Sequence, residues 1–345
     1  MKDNESYTFV SVIIPCRNEV NYIENLINSI LESDYNSDFF EIIIVDGISS
    51  DGTRNLITNK YLSIYKNISL IDNINKKTPY AFNLGIKNSI GEIILIVGAR
   101  HTISKNYIKE VVGVLTKSDE IGCVGGVTDN LYENEISRYI SLAMSSPFGV
   151  GFNNFRSIKK DMFVDTIGTP AYRKSIFSDI GYFDESLTRN QDDDFNYRLI
   201  KKGYKILLKS NISITYIVRS NYYSLYKQYR QYAYWKVFVN KKHKSITTLR
   251  QLFPVIFMLS IIIFSIISLF YPIVFYILIF ELLVYFILNI IFALKDNLFN
   301  IKNVIGQVFS CFVLHFSYGL GYIEGIIDFI FFNKTPNKNH ESLSR

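Results

Sequence analysis

The stretch Gly91 to His101 (GEIILIVGARH) constrains this chain more than any other. Its apolar run, Ile93 to Val97, shows no polar alternation, and a strand of that kind has both faces covered, as at the centre of a parallel sheet. The run ends in Gly98-Ala99 and then Arg100-His101. In open α/β sheets ligands gather outside the carboxyl ends of the strands, so Gly98 to His101 are expected to face a bound substrate.

Three strands of similar character come before it. Val10 to Ile14 closes on Pro15, Glu41 to Val45 runs into Asp46-Gly47, and Ile68 to Ile71 leads to the polar loop Asn73 to Thr78. Between them Ile23, Leu26, Ile27 and Ile30 have helical spacing within Asn18 to Leu31, a second helix starts near Thr53 or Arg54, and Pro79 to Ser89 makes a third. The alternation predicts an α/β fold with a mostly parallel sheet and helices on both faces. Farther on, the sequence predicts a helix over Asn106 to Thr116, a strand over Ile121 to Val127, and a loop with a short helix over 129–164 that lines or covers an acceptor site. Helices over Tyr172 to Ile180 and Asp192 to Lys202 and a strand over Lys205 to Leu208 complete this part.

Composition changes near residue 250. Residues 252–332 are dominated by Ile, Leu, Phe, Val and Tyr. Leu252 to Tyr271 and Ile273 to Leu294 each reach the ~20 residues a bilayer core requires, so C-terminal transmembrane helices are expected. The third apolar segment, Val304 to Phe332, carries His315, Glu324 and Asp328 and spans, re-enters or lies at the interface. Glu281, inside the second span, should face protein. Lys241, Lys242, Lys244 and Arg250 before the pair, with Lys295 and Lys302 after it, place both ends in the cytoplasm, and Lys334 and Lys338 do the same for the C-terminus. Ser220 to Lys244 interleaves tyrosines and Trp235 with Lys and Arg, a pattern expected of a helix lying among lipid headgroups; an ordinary solvated amphipathic helix is the alternative. No apolar stretch precedes the first strand, so a secretory signal is not expected. The organisation is thus a catalytic-type domain over 1–219, an interfacial region over 220–250, a membrane region over 251–333 and a polar tail over 334–345, with the first domain on the cytoplasmic face of the inner membrane.

A net charge of +6 suits anionic partners such as membrane lipids or sugar diphosphates. No nucleic-acid module frames the basic patch, so nucleic acid is not an expected partner. Cys16, Cys123 and Cys311 have no CxxC spacing, and the chain has four histidines, which argues against disulfide frameworks, zinc sites and His-rich metal clusters.

Four motifs in order carry a resemblance. They are Val12 to Glu19 (VIIPCRNE), Ile43 to Thr53 (IIVDGISSDGT), Pro79 to Gly85 behind Lys76-Lys77, and Asn190 to Leu199 (NQDDDFNYRL). Together they resemble the family 2 glycosyltransferases, inverting enzymes of the GT-A fold, across residues 10–240. The likeness is greatest to the membrane-attached, succinoglycan ExoA-like branch, where Gln228 to Lys236 and His315 to Gly325 also find similar segments.

The resemblance implies a nucleotide-diphosphate sugar as donor and a lipid-linked or growing polysaccharide as acceptor. It puts Asp192 on the general-base position, with Asp193 and Asp194 as rivals; a carboxylate complementing the helix dipole is the plainer role. Pro15, Arg17, Glu19, Asp46, Lys77, Asn83 and Arg100 fall on the donor side, and Asp193, Gln228, Tyr232 and Trp235 on the acceptor side.

Three departures stand out. The second Asp of the family's VDDGSTDGT is Gly47, the Glu of its ED motif is Gln191, and the metal-holding DxD aligns with Gly98-Ala99-Arg100. Either Arg100, with His101, Lys76 or Lys77, supplies the charge for the diphosphate through a guanidinium fork, or the chain is a silent binder of glycans or nucleotide sugars. Mg²⁺ or Mn²⁺ on other carboxylates, a structural ion pair for Arg100, and a polyprenyl-phosphate sugar synthase complete the alternatives.

Overall fold

Residue-by-residue burial explains why the apolar runs become neighbouring strands. The computed structural model describes residues 7–152, 156, 160–298, 300–337 and 340, apart from the side chain of Arg250. Lys338, the Arg250 side chain and residues 153–155 and 157–159 of the loop therefore lie outside the described residues.

In chain order the elements are β1 (Val10–Cys16), α1 (Ile23–Leu31), β2 (Phe40–Asp46), α2 (Thr53–Ile57), β3 (Ile68–Asp72), α3 (Thr78–Asn88), β4 (Ile93–Ile96), β5 (His101–Ile103), α4 (Tyr107–Leu115), β6 (Ile121–Leu131), α5 (Glu135–Ser145), α6 (Pro147–Val150), β7 (Met162–Val164), β8 (Ala171–Arg173), α7 (Ser175–Ile180), α8 (Gln191–Lys201), β9 (Lys205–Ile217), α9 (Tyr222–His243), α10 (Phe253–Ser268), α11 (Pro272–Asn297) and α12 (Ile301–Gly325). The chain divides into two compact units, residues 1–129 with 158–216 and residues 130–157 with 217–345.

The first unit is an α/β layer structure on a sheet ordered β3-β2-β1-β4-β8-β6-β9-β5, with β7 on β9. β1 pairs in parallel with β2 and β4, and β2 with β3. β4 pairs antiparallel with β8, so the strand announced by the sequence sits at the middle of the sheet between the parallel half and the antiparallel half. Its side chains are buried on both faces: Ile93, Leu95 and Val97 join the core under α1 and α4, and Ile94 and Ile96 are equally covered. On the opposite face α3 lies against β1 so closely that a Cβ on Gly85 would come 2.4 Å from Ile13 Cγ2.

Some elements differ from expectation. Tyr172 belongs to strand β8, not to a helix; it is paired with Ile94 on one side and Cys123 on the other. A three-residue strand has too few positions to show an alternation. β9 runs on through Lys205–Ile217, because its polar half still pairs with β5. Within 129–164 an eleven-residue helix, α5, starts with an Asn134–Ser137 capping box.

The second unit is helical, and α12 is its spine, contacting α5, α9, α10 and α11. The structure corrects the expected membrane organisation in two ways. First, α10 has only 16 residues, about 24 Å at 1.5 Å per residue and short of a bilayer core. The helices long and apolar enough to cross a membrane are Pro272–Asn297, with mean hydropathy 2.6, and Ile301–Phe331, with mean hydropathy 1.4. Second, α9 is enclosed along much of its length, with Tyr223 exposed and Tyr232 partly so. Leu225, Ala233, Tyr234, Trp235, Lys236 and Val239 are buried. Backbone meets backbone here: a Cβ on Gly321 would fall 2.1 Å from the Arg230 carbonyl oxygen, and one on Gly325 2.9 Å from that of Tyr234.

The polar residues of the third apolar segment point inward. His315 Nδ1 lies 2.9 Å from the Tyr285 hydroxyl and Nε2 3.1 Å from the Gly149 carbonyl oxygen. Glu324 accepts from Arg230, and Asp328 from the Tyr234 hydroxyl. Glu281 accepts from Ser260 Oγ of α10, so it faces protein as expected. Phe275, Tyr276, Phe280, Leu283 and Ile287 of α11 remain exposed, more contiguous apolar surface than a helix in water presents.

Candidate functional site

At the carboxyl ends of β1 and β2 the two glycosyltransferase-like motifs lock onto each other. The Asn18 backbone N–H donates to Ser49 Oγ at 2.8 Å, and Asn18 Oδ1 accepts from the Ser50 N–H at 2.9 Å. The Glu19 N–H donates to Thr53 Oγ1 at 2.9 Å, and the Val20 N–H to Asp51 Oδ2 at 3.1 Å. Asn18 and Ile48 both hold positive φ, 56° each, which these bonds keep in place. Much of the motif's polarity thus builds a rigid rim, and Pro15 is held inside it opposite Val45 in the β1–β2 pairing.

Asp46, expected to touch the donor, is fully enclosed instead. It accepts from the Ser49 N–H at 2.9 Å, the Ser49 hydroxyl at 2.5 Å and Arg54 Nη1 at 2.9 Å. The same Nη1 reaches Asp72 Oδ1 at 2.6 Å, and that second carboxylate, at the end of β3, is half exposed. Asp46 thus holds Ser49 and Arg54 in place at the end of β2. Cys16 points its thiol at Asp46 Oδ1, 3.6 Å away; burial pushes that thiol well above its usual range, so it stays protonated.

Asn83 also serves a different purpose from the expected one. Its amide nitrogen donates to the Phe183 carbonyl at 2.9 Å and to Glu185 Oε1 at 2.9 Å, while its oxygen accepts from the Phe183 N–H at 3.0 Å. It is a bracket holding the turn that precedes α8. Asn83→Ala should leave nucleotide affinity unchanged and lower unfolding free energy by about 1–3 kcal/mol for the backbone groups it orphans, measured by denaturant titration. Lys77 sits at the start of α3, after Lys76 with its positive φ of 59°, and Asn73 ties that loop down through the Lys77 carbonyl.

After β4 the family's metal-holding positions are refilled. His101 folds back until its Nδ1 lies 3.0 Å from the Gly98 carbonyl oxygen, and its ring stacks on Tyr216. A Cβ at residue 98 would meet that Nδ1 at 2.8 Å, so an Asp there would require the His101 ring to move. Arg100 Nε donates to Glu19 Oε2 at 3.0 Å, with its guanidinium over the Tyr22 ring 4.4 Å from the centroid. Glu19, expected as a donor contact, is enclosed and bound to this cation. Gly47 repeats the substitution on β2: a Cβ there would lie 3.1 Å from Arg17 Cβ and Cδ, so the Arg17 stem takes the volume of the missing Asp. Among the described residues no three His, Cys, Asp or Glu side chains gather in a group able to hold a metal ion. With glycine and a paired arginine at the two ligand positions, the residues present do not fit the divalent ion that the GT-A fold implies.

The third motif begins α8. Of its three acids, Asp194 is buried and bound to Arg198 at 3.0 Å, and Asp193 accepts from Asn190 Nδ2 at 3.0 Å. Asp192 is the exposed one of the three, in the first turn of the helix.

Comparison with known proteins accords with this geometry. The glycosyl transferase family 2 profile matches residues 11–181. A dolichyl N-acetyl-alpha-D-glucosaminyl phosphate 3-beta-D-2,3-diacetamido-2,3-dideoxy-beta-D-glucuronosyltransferase from Methanococcus voltae is 31% identical over 76% of this chain and 84% of that protein. The chain belongs to glycosyltransferase family 2. The succinoglycan biosynthesis protein ExoA of Rhizobium meliloti is 25% identical to this family 2 glycosyltransferase, covering 73% of it and 76% of the relative. Among solved structures, a Pyrobaculum calidifontis mannosyltransferase in complex with GDP-Man and Mn2+ superposes with a TM-score of 0.52 at 18% identity, over 69% of this chain and 65% of that one. That likeness is of fold, GT-A.

Within the glycosyltransferase the expected acceptor-side residues divide. Asp193 lies in the first unit, and Gln228, Tyr232 and Trp235 in the second. Gln228 Nε2 donates to the Tyr232 hydroxyl at 3.0 Å, and Tyr232 is partly exposed. Trp235 is fully buried, its indole N–H donating to the His340 carbonyl, so direct contact with an acceptor is replaced by a packing role. The sequence reading also passed over Arg54, Asp72 and Tyr22. Arg54 follows the DGT motif directly, which was a usable signal; Tyr22 had none, since its role exists only once Arg100 lies over it.

Proposed function

We propose that this glycosyltransferase moves a sugar, with inversion, from a nucleotide-diphosphate donor to a lipid-linked or growing polysaccharide acceptor, with Asp192 as the base. The observation that carries this reading is the position of Asp192, exposed in the first turn of α8 where Asp194 is buried against Arg198. Inverting transfer requires a carboxylate that an acceptor hydroxyl can reach from solvent. The Methanococcus voltae relative is named for transfer to a dolichyl-phosphate-linked sugar, and ExoA for succinoglycan biosynthesis, which supports a lipid-linked or polymeric acceptor. α11 and α12 would anchor the chain in the inner membrane, and Lys241, Lys242 and Lys244 ahead of α10 favour the cytoplasmic face for the first unit.

The test is a donor screen on the full chain in detergent, with UDP-, GDP- and dTDP-sugars offered to polyprenyl-diphosphate-linked glycans and to bare polyprenyl phosphate. Release of a nucleoside diphosphate that depends on the glycan-bearing acceptor is the expected result. Equal release on bare polyprenyl phosphate would make it a polyprenyl-phosphate sugar synthase. No release with any donor would overturn the assignment.

A further inference from the structure

The turn after β4 has not simply lost its carboxylates. The space beside Gly98 is taken by His101, and the next ligand position is a guanidinium fixed on two sides, by Glu19 through Nε and by the face of Tyr22. Among the described residues no hydrogen bond engages the two terminal nitrogens of Arg100. Its side chain is 21% exposed and that of Glu19 is 3% exposed, so the carboxylate lies beneath and the fork keeps a path to solvent. An ion pair of this geometry could serve stability alone, but the space beside the two glycines that stand where the family has carboxylates, Gly98 after β4 and Gly47 after β2, is taken by His101 and Arg17. At the end of β4 the change both removes negative charge and adds a guanidinium.

We propose that Arg100, positioned by Glu19 and Tyr22, binds the donor diphosphate in place of a divalent metal, making donor binding and transfer metal-independent. The inference rests on the reading that the donor is a nucleotide-diphosphate sugar. In transfer, the bond between the anomeric carbon and the β-phosphate oxygen breaks with both electrons passing to that oxygen. The acceptor oxygen forms the new bond to carbon, and its proton passes to Asp192. Arg100 keeps its own protons throughout, since guanidinium does not ionise in this range, and its planar fork meets the developing charge with paired N–H donors.

Titration calorimetry on the full chain in detergent tests this, with UDP, GDP and dTDP as probes and their nucleosides as phosphate-free controls, in EDTA and again with Mn²⁺. The wild-type chain is expected to bind one of the diphosphates with affinity changed less than about threefold by EDTA, well under the tenfold that 1.4 kcal/mol represents. Arg100→Ala should weaken that diphosphate at least about tenfold, the scale of a charge-assisted pair, without altering the nucleoside control. Arg100→Lys, which keeps a charge over Glu19 and so protects the fold, should recover only part of the loss. Wild-type binding that collapses in EDTA overturns the inference and keeps the glycosyltransferase reading, as does an Arg100→Ala chain that is folded and binds the diphosphate as tightly as wild type. Binding of no nucleoside diphosphate, dTDP included, under either condition overturns both.

Discussion

Asp192→Asn is expected to abolish sugar transfer almost completely, by about a hundredfold to ten-thousandfold in turnover, while nucleotide binding and thermal stability stay at wild-type values. The asparagine is nearly isosteric, and the side chain it replaces is exposed, so folding has little to lose. What disappears is the acceptor for the hydroxyl proton. The two neighbouring acids make the contrast. Asp194→Asn strips the partner from Arg198, whose Nη1 and Nη2 otherwise hold the Ile180 and Tyr182 carbonyls, and should show first as lost stability. Asp193→Asn breaks the bond from Asn190, which holds a positive φ of 59°, and should act more mildly. Single-turnover assays on the three variants, each with a melting curve, check the assignment; an Asp192→Asn chain that turns over normally would remove it.

Trp235→Ala is expected to destabilise the second unit by about 3–5 kcal/mol, the usual cost of emptying a fully buried indole site. The ring packs edge-on against Tyr234 and Phe238 and ties down the chain at His340. Because it is the single tryptophan, the wild-type protein reports on its own surroundings. Its emission should be blue-shifted, shielded from acrylamide, and unmoved by adding a polyprenyl-linked glycan. Quenching by that acceptor, together with an Ala variant as stable as wild type, would restore Trp235 to the acceptor side.

The two variants mark where the sequence was legible. Residues Val12 to Ile14, Ile42 to Val45, Leu70 to Ile71 and Ile93 to Val97 are apolar without a break, and their alternation with helices points to parallel strands. β8 was hidden because three residues between a loop and a helix carry no period. The apolar helices were legible as composition, but not their lengths: the helix ends at Phe253 and Ser268 depend on local turns that the apolar run does not mark.

The sequence by itself determined the parallel half of the sheet, the family, the order of its motifs and the acid at the start of α8, because each is written in local pattern or spacing. Only the tertiary structure decided what the motif residues do. Asp46 turned inward to Ser49 and Arg54, Asn83 to the turn at Phe183, and Trp235 to the core of the helical unit. Each outcome depends on a partner distant in sequence or on whether a neighbour leaves room. The same holds at the end of β4, where Gly98 is compatible with His101 and Arg100 finds Glu19, 81 residues away. A hydrogen bond between residues that far apart has no signature in either residue alone.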